Sequence, residues 1–155
     1  MSENQEIRVT LEQLDGYAFR VQFDGEGMAA LETDEPPPLG AGQGPNPSRL
    51  LLAAIANCLC ASLLFALRKF HNRPAALQAV ASARLERNAE GRWRIPRATV
   101  ELQLGEAAES HQQLERILAQ FEQFCVVTQS VRQGIEVDVS IRDAGGRVLL
   151  AGPER

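Results

Sequence analysis

The eighteen residues from Leu50 to Leu67, LLLAAIANCLCASLLFAL, carry no charge. A helix of that length with no polar face must lie in a bilayer or in a protein interior that encloses it. Its start is marked by Asn46, a good N-cap, and by Pro47, which suits the first helical position. The run is rich in alanine and includes Asn57, Ser62, Cys58 and Cys60, so its transfer into lipid is marginal. We therefore expect no membrane span. A chain of 155 residues has little material to cover such a helix on every side, and its full burial is expected to need a second subunit.

The flanks supply strands. Ile7, Val9 and Leu11 alternate with polar residues, and Asp15-Gly16 follows as a turn. Tyr17, Phe19, Val21 and Phe23 repeat the alternation, Asp24-Gly25 turns the chain again, and a third run spans Met28 to Leu31. This pattern predicts an antiparallel meander. Residues 33–47, with three consecutive prolines and several glycines, predict an irregular loop leading into the helix. Beyond the helix, strands are expected over Leu77–Glu86 and Trp93–Leu104, around a turn at Asn88–Gly91 and with a phase slip at Pro96. Ser110 is expected to open an amphipathic helix carrying Leu114, Ile117, Leu118 and Phe121. Alternation at Ile135, Val137, Val139 and Ile141 predicts another strand, with a last one over Arg147–Ala151. Segregated runs of strands and helices indicate the α+β class, and no linker divides residues 1–155, so a single domain is expected.

Composition narrows the function. A net charge of −4 argues against nucleic acid as partner. MSENQEIRVT has neither an apolar signal core nor a basic leader, which points to the cytoplasm. Three cysteines in a reducing compartment do not make a disulfide framework. Two histidines, His71 and His111, and no C-x-x-C pair make a metal site a poor fit, and no cofactor is expected. Read on the residues alone, each thiol is either a packed small hydrophobe or a nucleophile. Cys60 points about 200° away from Cys58 on a helix, so it is assigned to packing. His71 is expected to close the central helix, and Trp93 to anchor a core or an interface.

Asn46-Pro47, a Leu/Ala-rich helix and Cys58 twelve residues after Asn46 resemble the OsmC/Ohr superfamily of bacterial thiol proteins. CVVTQSVRQGIEVDVSI, from Cys125, is similar to the family's second signature, with Val126 in the proline slot and Thr128 in the serine slot. DEPPPLGAGQG is similar to the loop of its broad, less characterised branch. The resemblance implies an intertwined homodimer with long central helices packed between two sheets. It also implies active sites at the subunit interface. In the peroxidase members the first cysteine, here Cys58, reduces an organic hydroperoxide and becomes a sulfenic acid. The second, here Cys125, condenses with it, and a dithiol reductant reopens the disulfide. The alternative that the resemblance leaves open is a non-peroxidatic member binding a small apolar or thiol-containing ligand in the same pocket.

The sequence departs from the peroxidases at one point. They carry a glutamate just after Asn-Pro, which holds an arginine that stabilises the thiolate. Here Ser48 and Arg49 occupy those slots. Arg20 and Arg8 are the candidates for the arginine, and Arg49, more than two turns from Cys58, is out of reach on the same helix. Cys58 is accordingly expected to ionise less readily than in a peroxidase.

Overall fold

The computed structural model describes residues 4–151. Its first three strands are β1 (Val9–Gln13), β2 (Phe19–Phe23) and β3 (Leu31–Thr33), joined as an antiparallel meander with Leu11 opposite Val21 and Val21 opposite Leu31. The first strand is displaced toward its turn from the Ile7–Leu11 alternation. The third begins at Leu31 rather than Met28. Gly27, at φ 75°, completes the turn after β2, and the Met28 N–H still bonds back to the Gly25 carbonyl at 3.2 Å.

The proline-rich loop is organised by Asp34, a buried residue. Its carboxylate accepts N–H bonds from Glu35 (2.8 Å), Ala41 (3.0 Å) and Gln43 (3.1 Å). A Cβ at Gly40 would overlap this carboxylate and the Glu35 carbonyl, so only glycine allows the approach. The Gln43 N–H holds the Asp34 carboxyl below its ordinary value of 3.8, outweighing the opposite effect of burial, with Ala41, Glu35 and Gly42 adding to the lowering. Stability from a depressed carboxyl is complete above the unfolded-chain value and disappears as pH falls through the folded one. Asp34→Asn should therefore flatten the stability curve below about pH 4. Parallel denaturation curves for the two proteins over that range would contradict the assignment.

The loop delivers the chain to α1 (Pro47–Lys69). Asn46 caps it, its Oδ1 accepting from the Arg49 N–H at 3.1 Å, while its Nδ2 donates to Glu35 at 3.3 Å. Arg68 and Lys69 lie in the last turn, where cations complement the helix dipole. His71 follows in the left-handed conformation (φ 62°), and the Asn72 N–H returns to the Leu67 carbonyl at 3.0 Å. This is the C-terminal closure that glycine normally supplies.

β4 (Leu77–Ala83) pairs antiparallel with β7 (Ala98–Leu104) from Leu77↔Leu104 to Ala83↔Ala98. Between them β5 (Glu86–Arg87) and β6 (Trp93–Arg94) form a short hairpin closed by Asn88. The two longer strands expected from sequence are thus each divided, and Pro96, which has no N–H for a ladder, lies in the break between β6 and β7. Leu77, Val100, Leu102 and Leu104 pack against the core. Trp93 is not in that core: it is half-exposed, with the Arg87 guanidinium 4.2 Å from its ring centre.

Ser110 does not open the next helix. Residues Ala108–Ser110 form a single 3-10 turn, Gln113 takes the left-handed conformation (φ 57°), and α2 runs only over Leu114–Gln120. The break is fixed from outside: Asn72 donates to the Gln112 carbonyl at 3.0 Å and accepts from its N–H at 2.7 Å. His111 lies before the helix with its ring buried, Nδ1 3.1 Å from the Ala107 carbonyl and Nε2 3.5 Å from Glu106. A second 3-10 turn leads to α3 (Val126–Gln133), and β8 (Ile141–Arg142) pairs with β9 (Val148–Leu150) around Asp143. The strand expected over Ile135–Ile141 is paired only at its end. Among the described residues no strand lies beside 135–140, and Ile135, Val137 and Val139 are exposed.

The architecture is α+β, with three helices among the described residues and antiparallel sheets. Its core is a stripe of α1 (Ile55, Leu59, Leu63, Ala66, Leu67) closed by Ile117, Phe121 and Cys125. By length and composition α1 could also cross a bilayer, but this stripe is its seat in the fold. Only 22% of its most apolar stretch is buried within the chain.

Candidate active site

Cys58 lies mid-way along α1, and Cys125 is the residue that precedes and caps α3. The 3-10 turn before it is closed by the Cys125 N–H on the Glu122 carbonyl at 3.0 Å, and its own carbonyl accepts the Gln129 N–H at 3.0 Å. These bonds seat the start of α3 against α1. The two thiols lie close enough there to influence each other's ionisation, and both are free. Cys125 is 0% exposed, whereas Cys58 is half-buried.

The surroundings of the two sulfurs differ. The Cys125 thiol donates to Thr128 Oγ1 at 3.0 Å, and Ser62 of α1 favours its ionisation. Burial opposes its ionisation, but hydrogen bonds from Cys58, Thr128 and Ser62 outweigh that effect and hold the thiol below its ordinary value. Cys58 is pushed up, first by burial and then by Cys125, against the lowering effect of the Val127 and Thr128 backbone N–H groups at the start of α3. The pair therefore gives up its first proton as a unit, with the anion favoured on Cys125.

The arginines named from sequence lie elsewhere in this chain. Arg20 pairs with Glu32 at 3.3 Å across β2 and β3, and Arg8 pairs with Glu6 at 2.8 Å. Arg49 turns back to Asn46 at 3.2 Å. Cys60 lies off the pair, and burial raises its thiol. Cys60→Ala should leave the Cys58–Cys125 titration unchanged, as read by thiolate absorbance. A shifted curve would place Cys60 in the same network.

Two features were not anticipated. Ser62 lies four residues after Cys58, on the same helical face, and that spacing was the available signal. The other is an open groove of about 530 Å³ that reaches the start of α3 without being lined by either cysteine. Leu51, Ile55 and Leu59 of α1 and Val100 and Leu102 of β7 supply its apolar wall. Thr128, the residue bonded to Cys125, lines it too, and Arg97, Glu122 and Arg132 give it a polar rim. Arg132 and Glu122 are paired at 2.6 Å.

The family profile described as OsmC-like protein matches residues 40–140, which include α1, both cysteines and α3. The chain belongs to the OsmC-like family. Solved structures agree in fold. An OsmC-like protein of unknown function from Vibrio cholerae is 16% identical, with a TM-score of 0.67 over 81% of this chain and 93% of that one. An organic hydroperoxide resistance protein OsmC from Legionella pneumophila is 16% identical, with a TM-score of 0.64 over 83% of this chain and 90% of that one. OhrB, an organic hydroperoxide resistance protein of Bacillus subtilis, is 19% identical, with a TM-score of 0.61 over 85% and 94%. No curated protein matches the sequence.

Proposed function

We propose that this OsmC-like protein is a thiol-dependent peroxidase that reduces organic hydroperoxides through a Cys58/Cys125 redox pair. The observation that supports the reading is that the two thiols lie close enough to influence each other's ionisation, next to Thr128, which lines a groove with an apolar wall. The half-buried Cys58 can meet a hydroperoxide and become a sulfenic acid. Cys125 can then condense with it, and a dithiol reopens the disulfide. The groove suits an alkyl chain and favours organic hydroperoxides over hydrogen peroxide. The decisive experiment is hydroperoxide-dependent oxidation of a dithiol by the purified protein. Absence of turnover with several alkyl hydroperoxides would remove the reading.

The second reading, a non-peroxidatic binder of a small apolar or thiol-containing ligand, is favoured by Ser48 and Arg49 in the glutamate slots and by the upward push on Cys58. It predicts ligand binding in the groove with no dithiol oxidation.

The protein is proposed to act as a soluble, cytoplasmic homodimer. The exposed apolar sides of α1, including Phe65, and the unpaired alternation at Ile135, Val137 and Val139 support a second copy as their cover. The partner would also bring its own Arg20–Glu32 pair to the assembly. Light scattering at micromolar concentration should give twice the chain mass. A folded monomer would contradict the assembly.

A further inference from the structure

We propose that Arg84 and Arg97 form a phosphate-binding subsite at the edge of the groove, where they anchor the head of a ligand whose apolar part lies in it. The inference rests on the groove as the ligand site, which both readings of function share, and not on peroxidase chemistry.

The register of two ladders places the arginines. β4 and β7 pair as far as Ala83↔Ala98, and β5 and β6 resume at Glu86↔Arg94. Two residues, Arg84 and Leu85, thus lie opposite three, Ile95, Pro96 and Arg97. The extra residue makes a bulge, a device that re-aims side chains. Continued by one step, the β4–β7 register sets Arg84 against Arg97. Period two puts Ser82 and Arg84 on one face with their opposites Thr99 and Arg97. All four line one cleft of about 430 Å³.

Like charges directly opposite each other repel, so two arginines at the end of a ladder weaken it. No carboxylate relieves them: neither has an ion-pair partner among the described residues. Glu86, the third charged residue on the cleft wall, is registered opposite Arg94. An anion between the guanidiniums would replace repulsion with charge-assisted hydrogen bonds, and the Ser82 and Thr99 hydroxyls can add donors. A carboxylate has one charge and suits one guanidinium fork. A phosphate monoester offers three terminal oxygens and close to two charges, enough for both arginines and the hydroxyls. Arg97 and Pro96 also line the apolar groove, so the two cavities share a wall. The ligand class that fits both is an amphipathic phosphate monoester.

The test is calorimetric titration of the full chain at low ionic strength with n-octyl phosphate, octanoate, octanol and inorganic phosphate. The parent should bind octyl phosphate about tenfold or more tighter than each of the other three. Arg84→Gln should abolish the preference over octanol and leave octanol binding unchanged, because Arg84 does not line the groove. Glu86→Gln should tighten octyl phosphate binding, a gain that damage to the hairpin would not produce. Equal affinity for octyl phosphate and octanol in the parent would overturn the proposal, as would an Arg84→Gln protein that keeps the preference. Octanoate bound as tightly as octyl phosphate would overturn the phosphate assignment. Inorganic phosphate bound as tightly would detach the cleft from the groove and overturn the amphipathic ligand. Dithiol oxidation by cumene hydroperoxide separates the two levels of inference. Arginine-dependent octyl phosphate binding without such oxidation keeps the subsite and removes the peroxidase. Oxidation without that binding does the reverse.

Discussion

Cys58→Ser should reduce hydroperoxide-dependent oxidation of a dithiol by on the order of 10³-fold or more, while Cys60→Ala leaves it intact. The size of the effect follows from what the serine lacks. A hydroxyl does not ionise near neutral pH in a site whose stronger donors serve the neighbouring sulfur, and it cannot be oxidised to the sulfenic state that stores the two electrons. Cys125→Ser should behave differently. The first attack still occurs, and the sulfenic acid has no thiol to close on, so dimedone should trap it on Cys58. Turnover that survives Cys58→Ser would show that the chemistry belongs to another residue.

Leu67→Ala should destabilise the fold by about 2–5 kcal/mol, the range for emptying a packed site. Leu67 is 0% exposed and belongs to the core cluster that includes Ile117 and Phe121. The loss combines the removed apolar transfer energy with the cavity left in the core. Leu118→Ala supplies the control. Leu118 is adjacent in sequence to the buried Ile117 but is half-exposed, so its truncation should cost far less than Ile117→Ala. Urea denaturation at fixed protein concentration measures all three. Equal midpoints for Leu67→Ala and the parent would show that the core is placed wrongly.

What could be read from sequence was what depends on local chemistry or on a fixed spacing. Asn46 and Pro47 marked the start of α1 because capping needs only the next turn of chain. The meander was readable because period two and Asp-Gly turns are local, although its ends moved with the register. Cys58 and Cys125 were singled out by motif spacing, and the fold brings their thiols close enough to influence each other's ionisation. What was missed depends on distant partners. The grip of Asn72 on Gln112, forty residues away, stops Ser110 from starting α2. The alternation after Ile135 predicts a strand, but a strand also needs a neighbour, which no other described segment of this chain provides. The groove was invisible because its walls come from α1, β7 and α3 together.

The complete burial of Cys125 at the cap of α3 has a kinetic consequence. Reagents in bulk solvent can reach this sulfur only when α3 lifts from α1, so its labelling rate measures that opening rather than the intrinsic reactivity of the thiol. Cys58 needs no such event, because it already lies beside Cys125 in the closed fold. In the proposed cycle the site would therefore admit one internal oxidant, the sulfenic acid on Cys58, and hold external ones back by the height of an opening barrier. Cys125 is thereby sheltered from stepwise oxidation to the irreversible acids, and a pulse of labelling reagent turns the same cysteine into a stopwatch for the motion of α3.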